Sequence, residues 1–375
     1  MIKMLILALL VVLSQAIFLP RSFTNKRSSW LAPVDQSNLL GCNYQCSGAA
    51  PGAITNIADL RPCDVKVVAA LGDSITAAFA ASGSIWEYRE SSFFIGMGKN
   101  STTTANFLKQ VNPAVIGGPT VGHLPEVAGE GHDALQDILS AAQSEAKIAD
   151  LLPGGRGPQI PYMISEMQEL NNLGYMSLKN DWKIVNIWIG ANDLCEVCKD
   201  MQPDAPHGAI YFANLLNQTL TMIHANIPKT FVNLIPFFGL GQIYNLTRPY
   251  IWCDTVHSVF SECACMFSQE EIDRQNMDLV GTQYNTKMKD LSAWWNSQGI
   301  SDFAVVVQPG NIGFKVPDIS FVSTLDCFHP SLEAHEMLGV GLWNQMLQPM
   351  SQKTSPWVLP QTPVCPVNDA KFFSN

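Results

Sequence analysis

Four short apolar runs, at residues 65–71, 183–189, 230–235 and 303–307, constrain the fold of this chain more than any other feature. Each is long enough for a buried strand and carries β-branched residues that favour a strand over a helix. Each breaks off into turn chemistry: Gly72-Asp73-Ser74, Gly190-Ala191-Asn192-Asp193, Pro236-Phe237-Phe238-Gly239 and Pro309-Gly310. Between them, segments 134–152, 210–227 and 273–295 space their apolar residues as helices do. The first sets Leu135, Ile138, Leu139, Ala142 and Ile148 on one side and is stopped by Gly154-Gly155-Arg156-Gly157-Pro158. Strands alternating with helices predict a parallel sheet covered on both faces. Residues 93–121 and 308–323 read as long Gly/Pro/Asn-rich loops, the kind that tends to carry function. Residues 239–268, with three cysteines and little helical period, read as a disulfide-tied insertion.

The chain has 375 residues, 47% hydrophobic and only 14% charged, which suits one large α/β domain and excludes disorder. A net charge of −10 argues against nucleic acid as a partner and against attraction to anionic membranes. Lys3, the apolar segment 4–13 and Ser14-Gln15-Ala16 read as a secretory signal peptide over residues 1–16. No other stretch is long and apolar enough to span a bilayer. The ten cysteines are Cys42, Cys46, Cys63, Cys195, Cys198, Cys253, Cys263, Cys265, Cys327 and Cys365. An even number in an exported chain points to disulfides, since neither close pair has a zinc-ligand partner. Spacing leaves their connectivity open. Closure of Cys195 on Cys198, and links within Cys253, Cys263 and Cys265, are the local pairings expected. Asn100, Asn217 and Asn245 each begin an Asn-x-Thr/Ser glycosylation acceptor.

Three constellations carry chemistry. Gly72-Asp73-Ser74 follows the first run directly, so the Ser74 hydroxyl stands at the carboxyl end of a strand, where α/β folds place their sites. The same tripeptide also serves as a plain turn with an N-capping serine. Asn192, after the second run, offers an amide that can donate to a developing oxyanion, or can close an Asx turn. Asp326-Cys327-Phe328-His329 precedes a helical segment at 332–347. An Asp three residues before a His can hold the imidazole's tautomer while the other ring nitrogen faces a nucleophile. His335, farther along, reads as an ordinary exposed or half-buried histidine. Nucleophile, amide donor and Asp-x-x-His pair together make an acyl-transfer site.

These blocks resemble the SGNH/GDSL hydrolase family. The resemblance implies a three-layer α/β/α sandwich with a mostly parallel, flavodoxin-like central sheet. It implies Ser74, Asp326 and His329 as catalytic residues, and an oxyanion hole formed by the Ser74 amide, Asn192 and a glycine amide. The glycine falls in Ala128-Gly129-Glu130-Gly131 and is assigned to Gly131, with Gly129 the near alternative. It implies no metal and no cofactor. Residues 68–77, 181–185, 189–198, 302–309, 326–331 and 342–346 are similar to the phospholipase B branch of the family, over a span from Cys42 to Cys365. That branch implies a secreted monomer that cleaves fatty-acyl esters of phospholipids and lysophospholipids through an acyl-serine, touching a membrane or micelle surface transiently. The same machinery serves a secreted esterase or lipase on neutral or short-chain esters, and a third reading is an inactive lipid-binding relative. Apolar walls for the acyl chain are expected from Phe79, Trp86, Phe93, Phe94, Phe237 and Phe238. The expected division is a signal peptide at 1–16, a cysteine-tied extension at 17–62, the hydrolase domain at 63–350 and a tail at 351–375.

Overall fold

The computed structural model describes residues 30, 31, 35, 37–260, 262–367 and 370–373, so the signal-peptide segment lies outside the described residues. Strand β1 (Val65–Gly72) leads into a long irregular stretch that contains helices α1 (Thr104–Val111) and α2 (Ala134–Asp137). Helix α3 (Gln159–Asn172), strand β2 (Trp182–Trp188), the short α4 (Ala191–Leu194), α5 (Ala209–Asn226) and β3 (Thr230–Leu234) follow. Then come α6 (Gln242–Thr247), α7 (Ile251–Val259), α8 (Glu271–Ser297), β4 (Phe303–Val307) and α9 (Leu332–Met346).

The four strands are parallel and ordered β1-β2-β3-β4. Every residue of β2, β3 and β4 is buried, as a parallel sheet covered on both faces requires. Helices α5 and α8 pack together through the stacked rings of Phe212 and Tyr284, and α8 grips β4 where Ser292 Oγ donates to the Val305 carbonyl (2.7 Å). Helices α1 and α9 meet through Phe107 against Trp343. Sheet and helix pairs form the expected α/β sandwich.

A flavodoxin-like sheet carries a further strand beside β1. Here that place is filled by two half-strands. Ile116 pairs with Val67 and Ser140 with Ala70, both in parallel, and Leu139 N donates to Gly117 O (2.9 Å) where the halves meet. Residues 118–138 loop out between them. This overturns the helix expected over 134–152. Asp133 caps α2, but Ile138 turns to φ 53° after a single turn, and the chain then runs extended to complete the sheet edge. Backbone pairing with β1 outweighs the local helical period. The insertion at 239–268 in turn contains α6 and α7, and the loop at 93–121 contains α1.

The bridges are Cys42–Cys365, Cys46–Cys63, Cys195–Cys263, Cys198–Cys265 and Cys253–Cys327. The expected Cys195–Cys198 link and the links among Cys253, Cys263 and Cys265 are therefore replaced by bonds between distant segments. Cys198 sits just after the Asn192 turn and faces the insertion rather than its near neighbour.

Candidate active site

Gly72 ends β1 because nothing larger fits there. A Cβ at this position would lie 2.2 Å from Thr76 Oγ1 and 2.7 Å from the Trp188 carbonyl. The chain then closes one tight turn, with Ala77 N donating to Asp73 O (3.0 Å) and Phe79 N to Ser74 O (2.9 Å). Asp73 turns its carboxylate back onto Ile75 N (3.0 Å), and the Ser74 side chain beside it stays buried. Burial pushes the Asp73 carboxyl up to about 7.

Asp326 and His329 arrive from the other end of the chain on a turn built for them. Asp326 Oδ1 accepts from Phe328 N (2.9 Å) and His329 N (3.1 Å), while Cys327 between them adopts φ 54°. That left-handed backbone folds the two side chains to the same side, and the bond from Cys327 to Cys253 on α7 fastens it. Asp326 Oδ2 lies 2.7 Å from His329 Nδ1, and His329 Nε2 lies 2.7 Å from Ser74 Oγ. Burial works to raise the Asp326 carboxyl. The His329 ring beside it and the two backbone amides outweigh that and hold it below its ordinary value.

Asn192 enters from β2. Gly72 is in register with Trp188, so the Ser74 and Asn192 turns leave neighbouring strands at one edge of the sheet. Asp193 anchors the turn, accepting from Ile148 N (2.9 Å) and meeting His207 Nδ1 at 2.8 Å. The Asn192 amide is half-buried and donates to Ala146 O (3.0 Å). Gln143 N donates to Gly72 O (3.3 Å), so segment 143–146 spans from the Ser74 strand end to Asn192. Gly131 is placed differently. It is exposed, and among the described residues no hydrogen bond ties it to Ser74, Asn192 or His329. The residue of 143–146 with a glycine-like backbone is Glu145, at φ 64°.

A sequence model described as GDSL-like Lipase/Acylhydrolase matches residues 68–340. The chain belongs to this family. Among curated proteins it is similar to human "Phospholipase B1, membrane-associated", with 30% identity over 355 residues, 88% of this chain and 22% of that protein. The mouse protein of the same name is 29% identical over 374 residues, 93% of this chain and 24% of that protein. The chain thus spans less than a quarter of the length of these relatives. Among solved structures, an extracellular lipase from Streptomyces rimosus aligns over 72% of this chain and 95% of that one, at 15% identity and TM-score 0.37. A phospholipase A1 from Streptomyces albidoflavus aligns over 73% and 96%, at 15% identity and TM-score 0.35.

The family member's site has two aromatic walls. Phe79 meets the His329 ring edge-on at 5.0 Å, and Phe328 does so at 4.9 Å. Phe328 was hidden in the sequence by its place inside the Asp-x-x-His motif. Trp86 is exposed and Phe93 and Phe94 are buried in the core, whereas Phe237 and Phe238, also buried, line a cavity with Asp278, Asn285 and Ile312 whose lining includes none of Ser74, Asp326 and His329. His335 is likewise fully buried, contrary to expectation. It accepts from Phe93 N (3.3 Å), and burial pushes it down to about 3.

Behind the segment 143–146 lies a buried charge network that the sequence did not signal. Arg89 donates to the carbonyls of Ser140 (3.1 Å) and Ala142 (2.8 Å) and pairs with Glu87 (2.7 Å) and Asp137 (2.9 Å). Glu87 also accepts from Ser144 Oγ (2.6 Å). Three clusters among the described residues have metal-ligand spacing. Cys46, Cys63 and Asp64 fail because both cysteines are bonded to each other. His123, Glu126 and Asp137 surround the Arg89 guanidinium, which already supplies the positive charge. Glu262, Asp326 and His329 form the third, with both ring nitrogens of His329 already engaged.

Of the glycosylation acceptors, Asn100 and Asn245 are exposed. Asn217 is half-buried, with Oδ1 accepting from Trp295 Nε1 (3.1 Å).

Proposed function

We propose that this chain is a secreted phospholipase B-like serine hydrolase that cleaves fatty-acyl esters of phospholipids and lysophospholipids. The observation that carries the reading is the unbroken line Asp326–His329–Ser74, with both hydrogen bonds at 2.7 Å across 255 residues of sequence. His329 Nε2 takes the Ser74 proton as Oγ attacks the acyl carbonyl carbon, and Asp326 stabilises the imidazolium that results. The oxyanion is met by the Ser74 amide, by Asn192 Nδ2 released from Ala146, and by one amide of segment 143–146. Glu145 is the residue of that segment we assign to the role foreseen for Gly131. Its positive φ is the conformation glycine ordinarily supplies.

Collapse of the intermediate expels the glycerol oxygen, which takes the proton from His329 and leaves acyl-Ser74. Water then attacks the acyl-serine with His329 again as base, and the fatty acid leaves as Ser74 recovers its proton. None of these steps calls on a metal. Five disulfides support an oxidising compartment, and no helix among the described residues is long and apolar enough to cross a membrane. Phe79 and Phe328 are suited to flank the first carbons of the acyl chain.

Product analysis tests the substrate class. Purified protein given phosphatidylcholine, lysophosphatidylcholine, triglyceride and a short-chain ester is expected to release fatty acid fastest from the two phospholipids. Preference for triglyceride or for the short ester would replace the phospholipase reading with a general esterase.

A further inference from the structure

The insertion at 239–268 reaches the site at several points, and Glu262 is the carboxylate it brings beside Asp326 and His329. It directly precedes Cys263, and the bridges Cys195–Cys263 and Cys198–Cys265 fasten it to the segment after β2. Cys265 N donating to Cys195 O (2.9 Å) closes the same join. A third bridge, Cys253–Cys327, runs from α7 into the Asp326–His329 turn. Between these anchors, a Glu262 carboxylate oxygen comes within 4.8 Å of both an Asp326 oxygen and a His329 ring nitrogen. The residue as a whole is half-buried, yet its Oε2 is sealed from solvent and meets no hydrogen-bond partner among the described residues.

Two carboxyl groups this close and away from water do not both ionise. The negative charge belongs on Asp326, which accepts from Phe328 N, His329 N and His329 Nδ1. Among the described residues no donor meets the sealed Glu262 Oε2, so the proton stays with Glu262. Burial first, and the Asp326 charge second, push its carboxyl well above the ordinary value. Among the described residues, His257 lies beside Asp326 and Asp73 lies near His329. His257 Nε2 meets the Asp326 carbonyl at 2.8 Å, and burial lowers its pKa. Asp73 faces His329 from the Ser74 turn.

We propose that Glu262 is a positioning residue of this site, an uncharged acid that packs against Asp326, keeps water from that carboxylate and so holds it aligned on His329. Its ionisation sets a second carboxylate against the first and pulls the pair out of line. The inference rests on the Ser74–His329–Asp326 reading above.

Glu262→Gln preserves shape and a hydrogen-bond donor but cannot ionise. With a soluble ester followed from about pH 5 to about pH 10, wild-type kcat/KM is expected to reach a neutral plateau and then fall. The fall is about tenfold or more, the scale set by groups coupled by a pK unit. The Gln variant is expected to match the plateau and to show no alkaline fall. Glu262→Ala, which admits water beside Asp326, is expected to lose activity already at neutral pH, with Gln restoring it. Superimposable profiles for wild type and the Gln variant would overturn the inference. Should neither variant be secreted, the rate at which a fluorophosphonate labels wild-type Ser74 over the same range decides. An alkaline fall supports the role, and a flat line refutes it. A wild-type protein that is not labelled at Ser74 at all marks a failure of the hydrolase reading itself, and this inference falls with it.

Discussion

The Cys253–Cys327 bridge offers a perturbation whose two consequences can be worked out separately. It closes a loop of 74 residues and ends inside the Asp326–His329 turn, on the residue with left-handed backbone. In the chain-entropy model, opening a loop of that length costs about 4.5 kcal/mol of stability. The unfolding entropy of a chain this size is about 0.8 kcal/mol per kelvin, so Cys253→Ser with Cys327→Ser lowers Tm by about 6 °C. Differential scanning calorimetry reads that shift. The second consequence is kinetic. Once Cys327 is untethered, Asp326 and His329 lose the turn that aligns them, and a displacement near 1 Å costs about 10²-fold in kcat. Hydrolysis of a soluble nitrophenyl ester, assayed well below both melting points, reads the loss. A variant that melts lower but turns over at the wild-type rate would refute the claim that this bridge aligns the pair. Unchanged melting would refute the stability argument as well.

Three further expectations come from the same geometry. Asn192→Ala removes an oxyanion donor and is expected to lower kcat by about 10²–10³ with little change in KM, so a KM effect alone would move Asn192 out of the oxyanion hole. Gly72→Ala forces a methyl onto Thr76 and the Trp188 carbonyl, which costs about 1–3 kcal/mol and slows Ser74 labelling. Normal melting and labelling would contradict the tight strand end. Asp73, held near 7 by burial, keeps a proton in the folded state that the unfolded chain has already released above the ordinary Asp range. Its effect on stability is therefore nil in acid and becomes a full penalty as pH rises through about 7. The Tm of Asp73→Asn relative to wild type is expected to rise between about pH 4 and about pH 7, and a constant difference would contradict the assignment.

What the sequence disclosed about the site follows from how local each contact is. The four strands are covered on both faces, so their residues are apolar throughout and stand out as runs. The Asp326–His329 contact lies within one turn and is legible in a four-residue motif. The reach from His329 to Ser74 is tertiary, so the sequence joined them only by the chemistry of their residue types and by the family resemblance. Segment 134–152 misled because its residues keep a helical period while their backbone completes the sheet edge beside Ala70. The third oxyanion donor we propose moves for the same reason. The resemblance assigns Gly131, just ahead of the expected helix, whereas the positive-φ residue beside Asn192's partner is Glu145. Nothing in a glutamate's identity signals that conformation. The disulfides hid for another reason. Close cysteines suggest local bridges, but Cys195 and Cys198 face the insertion, and Cys253 reaches across to the turn at Cys327. Glu262 became visible only once those bonds were in place.

The central claim is that Ser74 becomes acylated. Purified protein mixed with a phosphatidylcholine, quenched in acid within the first turnover and digested, can be read by mass spectrometry for an acyl group on the Ser74 peptide. The account predicts that adduct in wild type and its absence from Ser74→Ala. An acyl group on any other residue, or turnover of phospholipid by Ser74→Ala at the wild-type rate, would contradict it.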